Sequence, residues 1–231
     1  MPYFYFDWTY MVLVLPCIIL SLWASSNVKS TFNRYAKQYS SRRITGADAA
    51  HRVLSANGVT GVRIERVSGN LTDHFDPKTN VIRLSQGVSG VTSVAAVGVA
   101  AHEAGHAVQY AMGYGPIKVR TAIIPVTQIG SYLSWPLLLI GLVLGSETLA
   151  MAGVLLFCAV VAFQLVTLPV EFNASNRALD ALGASGYLQE EQLRGAGKVL
   201  RAAAMTYVAA MAQAVAQLLR LLMIANRSRR D

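Results

Sequence analysis

Apolar positions in this chain gather into three long uncharged runs, with polar segments of shorter period around them. No charged residue stands between Asp7 and Lys29, between Arg120 and Glu147, or between Glu147 and Glu171. Each run is long enough to cross a hydrocarbon core of ~30 Å as a helix. Between the first two runs the pattern shortens. Thr45-Gly46-Ala47-Asp48 has the form of a capping box with Asp in the Glu position, opening a helix through Ala49, Ala50, Val53 and Leu54 that closes near Gly58. Val62, Ile64 and Val67 then sit among polar residues, Gly69-Asn70 marks a turn, and Leu71 to Asp76 is expected to pair back. Asp76-Pro77-Lys78-Thr79-Asn80 reads as a second turn before the alternating strand Val81 to Ser85. A further apolar helix is expected from Ser93, its N-cap, to a stop at Gly113.

Composition sharpens this picture. The 231 residues are 54% hydrophobic with a mean hydropathy of +0.41, too apolar for an ordinary soluble domain. An integral membrane protein is expected. The first run does not read as a cleaved signal: Asp7 precedes it and the basic residues follow it. It reads as a retained anchor, with Trp8, Tyr10, Trp23 and the preceding Tyr3, Phe4, Tyr5 and Phe6 suited to the interface.

Basic residues orient the runs. Lys29, Arg34, Lys37, Arg42 and Arg43 follow the first, Lys118 and Arg120 precede the second, and Arg177, Arg194, Lys198 and Arg201 follow the third, while Gly145-Ser146-Glu147 carries none. By the positive-inside rule the N-terminus lies outside and the polar segments face the cytoplasm. The net charge of +8 then calls for anionic headgroups rather than nucleic acid. Cys17 and Cys158 both fall inside expected spans, away from any metal cluster, and no structural disulfide is expected.

Chemistry concentrates in Ala101-His102-Glu103-Ala104-Gly105-His106, an H-E-x-x-H motif on the expected helix. Residues four apart share a helix face, so both imidazoles can hold one Zn²⁺, with Glu103 placed to take a proton from the bound water. A catalytic zinc takes a third protein ligand. No metzincin extension follows, because Gly113 and Gly115 end the helix, which leaves His51, His74 or a carboxylate on a later helix. Glu171, in Leu168-Pro169-Val170-Glu171-Phe172-Asn173-Ala174-Ser175 at the end of the third run, is the strongest of these, against the simpler reading of a solvated boundary carboxylate.

Nearly the whole chain resembles the bacterial YugP-type neutral zinc metallopeptidases of the membrane. The likeness is carried by the anchor, Asp73-His74-Phe75-Asp76-Pro77, the zinc helix, the hairpin, and Glu171-Phe172-Asn173-Ala174-Ser175. The last block also resembles the second motif of HtpX-like and CAAX prenyl proteases, gluzincins in which a Glu after the membrane hairpin is the third ligand. The resemblance implies that role for Glu171. Those relatives usually carry Asp four residues later, where this chain departs with Ser175. His74, Tyr207 and Arg177 are candidates for the oxyanion or the cleft; His51 reads as structural.

The expected protein is mostly α, an integral membrane chain with a small β-sheet and a gluzincin-like α+β core facing the cytoplasm. Its expected regions are an anchor (1–28), a catalytic region (29–118), a transmembrane hairpin (119–170) and a helical region with the third ligand (171–231). In the last, Glu171 to Leu182 reads as a helix interrupted by Gly183 and Gly186, and residues 188–225 as mostly helical. Ala202 to Ile224 is apolar enough to span, but Gln213, Gln217 and Arg220 interrupt it and Arg227, Arg229 and Arg230 follow. A helix packed on the catalytic region or lying at the interface is expected instead.

The expected function is zinc-dependent endoproteolysis at the inner membrane of a bacterium, with one Zn²⁺ per chain. Its partners are the bilayer and peptide or membrane-protein substrates, with no nucleic acid. The rivals are a site-2-type intramembrane protease, since residues 91–112 are apolar enough to be submerged, and a non-catalytic zinc-binding adaptor. The first lacks its Asn-Pro and Leu-Asp-Gly motifs, Leu179-Asp180-Ala181 being a poor substitute; the second has no need of Glu103.

Overall fold

The computed structural model describes residues 8–228. Tyr3, Phe4, Tyr5 and Phe6, together with Arg229 and Arg230, lie outside them. A π-helical turn, Tyr10–Val14, leads into α1 (Leu15–Tyr35). Then come α2 (Gly46–Ala56), β1 (Arg63–Val67), β2 (His74–Asp76), β3 (Val81–Ser85), the single-turn α3 (Gln86–Ser89) and α4 (Val94–Ala111). Three long helices complete the chain: α5 (Gly115–Val143), α6 (Glu147–Ala184) and α7 (Glu190–Ser228). Contacts divide it into two compact units, Ser25–Lys118 with Pro169–Met205, and Met1–Ala24 with Val119–Leu168 and Thr206–Asp231.

Local chemistry sets the ends of the elements in the first of these units. Thr45 and Asp48 form both bonds of the capping box that opens α2. Those bonds hold the Asp48 carboxyl below its ordinary range, the Thr45 hydroxyl being the largest cause. Ser93 caps α4 by accepting from the Ala96 N–H, and Gly113 ends it with a φ of +68°, in the left-handed region glycine tolerates. Between these signals α4 is built of Ala, Val and Gly. Val94, Ala95, Ala96, Val97, Ala100, Ala101 and Ala104 are all fully buried. They form one core with α2, β3, the end of α6 and the start of α7.

The sheet differs from the expected hairpin of β1 and β2. Its order is β1-β3-β2, with β1 parallel to β3 and β2 antiparallel to it. The reason is burial: Val81, Ile82 and Leu84 make β3 the most apolar strand, and it takes the centre. The turn Asp76 to Asn80 then closes a β2–β3 hairpin. Asp76 accepts from the Lys78 N–H, the Thr79 hydroxyl and Arg83. Asp73 fastens the segment before β2 to the end of β3, accepting from the Ser85 N–H at 2.7 Å and from its hydroxyl at 3.0 Å.

In the other unit, α5 and α6 pack through small residues. A Cβ at Gly153 would collide with the Ser134 carbonyl, and one at Gly130 with the Leu156 carbonyl, so the glycines let the backbones approach closely. Leu138, Val154, Phe157 and Leu221 bury the centre. Cys17 and Cys158 are both free.

The C-terminal helix is divided between the two units. Residues 190–205 belong to the unit of α4, but the rest of α7 packs with α1 and the hairpin helices. Within that unit Ser21 bonds Gln213, while the buried Arg220 stacks over Tyr10 and Trp135. Going back along the chain from Ser21 to Tyr10 means going forward along α7, so the two run antiparallel. Two of the polar residues that interrupt the apolar run, Gln213 and Arg220, thus face these partners. Among the described residues, four helices, beginning at Tyr10, Gly115, Glu147 and Glu190, are long and apolar enough to cross a membrane.

Candidate metal centre

Helix periodicity puts His102 and His106 one turn apart on α4, their rings 4.6 Å apart and nearly perpendicular. Across from them, α6 continues unbroken through Pro169, so the end of the third apolar run and the segment bearing Glu171 are one helix. Gly105 is what lets the two helices meet. A Cβ there would overlap the Ala174 carbonyl, so α6 lies flush on α4 only because this position is glycine. The close approach brings Glu171, 2% exposed, to the imidazoles. Its Oε2 stands 3.2 Å from His102 Nε2 and 3.6 Å from His106 Nε2.

These three side chains form the one group of potential metal ligands among the described residues, with donor atoms within 4.8 Å of one another. The donor set tests well for zinc. Tetrahedral bonds of ~2.0–2.1 Å put neighbouring ligand atoms ~3.4 Å apart, between the two imidazole–carboxylate distances. Two neutral nitrogens with one carboxylate also suit a borderline-soft dication.

The remaining ring nitrogens are held from behind. His102 Nδ1 lies 3.1 Å from Ser175 Oγ, and His106 Nδ1 lies 3.1 Å from Gln109 Oε1. Gln109 is fully buried, and its amide nitrogen donates to the Val170 carbonyl at 2.8 Å and to Asn173 Oδ1 at 2.9 Å. With the amide fixed by two acceptors, its oxygen must face His106. That keeps the imidazole proton on Nδ1 and turns the Nε2 lone pair to the ligand cluster. Arg177 donates to the same Asn173 oxygen and to the Met112 sulfur. Burial pulls His106 towards the neutral form, but the hydrogen bond to Glu171 and the charges of Glu103 and Glu171 outweigh it and raise its pKa. Glu103 is half-buried on the same helix and outside the ligand group.

The other candidates scatter. His74 lies outside the ligand group; it is exposed on β2 with Nδ1 2.8 Å from the Thr72 carbonyl, a bond within its own turn. Its neighbour Phe75 packs edge-on against Tyr110 of α4, which holds this edge strand beside the helix. Arg177 supports the network behind the histidines. Tyr207 falls in the part of α7 that belongs to the other unit. Sequence reasoning missed Gln109, Asn173 and the role of Gly105. The available signal was spacing: Gln109 stands one turn beyond His106, and Asn173 four residues before Arg177.

Residues 10–226 match the family described as "Putative neutral zinc metallopeptidase". The chain belongs to this family. It is also 45% identical over 215 residues to a Bacillus subtilis (strain 168) protein named "Putative membrane protease YugP", covering 93% of this chain and 96% of that one. No solved structure matches it significantly. Within the family frame, the buried His-His-Glu cluster and the long apolar helices are features of a single chain that is similar to a membrane protease from end to end.

Proposed function

We propose that the chain is a zinc metalloendopeptidase of the bacterial inner membrane, hydrolysing peptide bonds at its cytoplasmic surface. The observation that carries this reading is the convergence of His102 Nε2, His106 Nε2 and buried Glu171 on one point, beside a glutamate outside the ligand group. His102, His106 and Glu171 hold one zinc per chain. A zinc ion so bound supplies an acidified water and polarises the scissile carbonyl. Glu103, half-buried on the same helix, would serve as the general base that accepts the nucleophile's proton and passes it to the departing amine. Ser175 and Gln109 keep the imidazoles in the ligand tautomer. The edge strand β2, beside α4, offers unpaired backbone groups to an extended substrate.

Helix α6 supports action at the membrane surface, because Glu171 directly follows its uncharged stretch. The basic residues before α5 and after Glu171 support a cytoplasmic site and an external N-terminus. The antiparallel pairing of α7 with α1 supports a fourth crossing, with the C-terminus on the side of the N-terminus. A submerged motif helix of the site-2 kind is disfavoured: α4 is covered by protein and is not among the spanning candidates.

The test is proteolysis of unstructured casein by the purified chain and by Glu103→Gln, with bound zinc measured in both. Both should hold about one zinc, and only the wild type should cut. Zinc in both with no cleavage by either would favour a non-catalytic zinc adaptor.

A further inference from the structure

Away from the metal ligands, the second half of α1 and the start of α7 border an open cavity of about 290 Å³. Three cations line it: Arg34 from α1, and Lys198 and Arg201 from α7. No carboxylate lines it, and none of the three forms an ion pair among the described residues. A neighbouring hollow of about 220 Å³ shares Arg34 and Lys198 and adds Arg194 and Glu191. Arg194 is already paired with Glu190. Glu191 brings one negative charge to that hollow, against the three cations of the first cavity, which therefore keeps an excess of positive charge.

Its shape follows from Gly195. A Cβ there would collide with the Tyr35 ring, so the glycine lets Tyr35 approach α7 closely where it lines the cavity. The other end is lined by Ala202 and Met205. Both helices change character here. On α7 no charged residue stands between Arg201 and Arg220, and on α1 none stands between Asp7 and Lys29. One end of the cavity is thus cationic and the other opens towards apolar sequence.

We propose that this cavity binds the phosphate of an anionic phospholipid headgroup. Three cations lining one cavity that holds no carboxylate suit a phosphodiester. A soluble phosphate has no use for the apolar end, whereas an acyl chain continues naturally along it. The volume lies near the lower bound for small-molecule sites, ~300 Å³, right for a headgroup rather than a whole lipid.

The test uses the full chain in phosphatidylcholine nanodiscs, titrated with short-chain phosphatidylglycerol, short-chain phosphatidylcholine and inorganic phosphate. The triple variant Arg34→Gln/Lys198→Gln/Arg201→Gln is compared with Lys29→Gln/Lys37→Gln/Lys118→Gln, which loses equal charge outside the cavity. Phosphatidylglycerol affinity should fall at least ~10-fold in the first and less than ~2-fold in the second. The single variant Lys198→Gln should weaken binding ~3-fold and serves if the triple misfolds. Equal losses in both triples would mean diffuse attraction and overturn the proposal. So would equal binding of the two lipids, or inorganic phosphate binding as tightly as phosphatidylglycerol.

Discussion

Helices α4 and α5 are both written in apolar residues, yet they meet different surroundings. In α4 the apolar side chains are small, Ala and Val with glycines between them, and its core-facing positions are fully buried in protein. In α5 many are large, and Ile124, Ile129, Leu133, Leu139, Ile140 and Val143 remain exposed. Small residues let neighbouring backbones close round a helix. Large ones left uncovered need an apolar medium. Side-chain size and cover, rather than hydropathy, separate the helix that carries the motif from the helices suited to a bilayer.

The most damaging way to probe this difference is a charge. Val97→Asp would bury an unpaired carboxylate in α4 at a cost of more than ~4 kcal/mol and should abolish folding. Ile129→Asp, at a position 54% exposed, should leave the detergent-solubilised chain folded while impairing insertion. Thermal unfolding in detergent and membrane fractionation distinguish the two. If Val97→Asp melts like wild type, α4 is not core.

A smaller change tests the closeness of α4 to α6. Gly105→Ala forces a methyl group against the Ala174 carbonyl, costing about 2 kcal/mol by overpacking and separating Glu171 from the imidazoles. Zinc binding should weaken along with the melting temperature. Next, Gln109→Leu removes the acceptor behind His106 and the donor that ties it to the Val170 carbonyl and to Asn173. Zinc affinity should drop ~10–100-fold, with secondary structure by circular dichroism unchanged.

The mildest effect concerns the β2–β3 turn at the surface. Thr79, Arg83 and the Lys78 N–H hold the Asp76 carboxyl well below the usual carboxylate range. The stabilisation is complete above the unfolded value of ~4 and is lost as pH falls further, through the folded one. Asp76→Asn should therefore melt earlier than wild type at pH 7, with the gap closing below about pH 4. A gap that stays constant with pH would mean that the carboxylate charge is idle.

What the sequence made legible was local. The caps at Thr45 and Ser93, the stop at Gly113 and the turn at Asp76 are decided by residues a few positions apart, so one segment contains the whole signal. Strand order was not legible, because β1 pairs with a strand eighteen residues downstream and the choice rests on which strand the core covers. The packing of the end of α7 was not legible for a related reason: Gln213 and Arg220 interrupt an apolar run in the sequence, and their partners Ser21, Tyr10 and Trp135 lie far away along the chain. In the site, the H-E-x-x-H spacing and the place of Glu171 after the third run pointed to the three residues that the fold brings together, and a resemblance strengthened Glu171. Ser175, a departure from the relatives' Asp, still bonds His102.

The central claim is that Glu171 completes the ligand set while Glu103 stands outside it. Zinc affinity by chelator competition on wild type, Glu171→Ala and Glu103→Gln tests it most directly. The account predicts that Glu171→Ala loses affinity by more than ~100-fold, beyond the effect of a supporting residue, and that Glu103→Gln stays within ~3-fold of wild type. Tight zinc binding by Glu171→Ala, or its loss in Glu103→Gln, would contradict it.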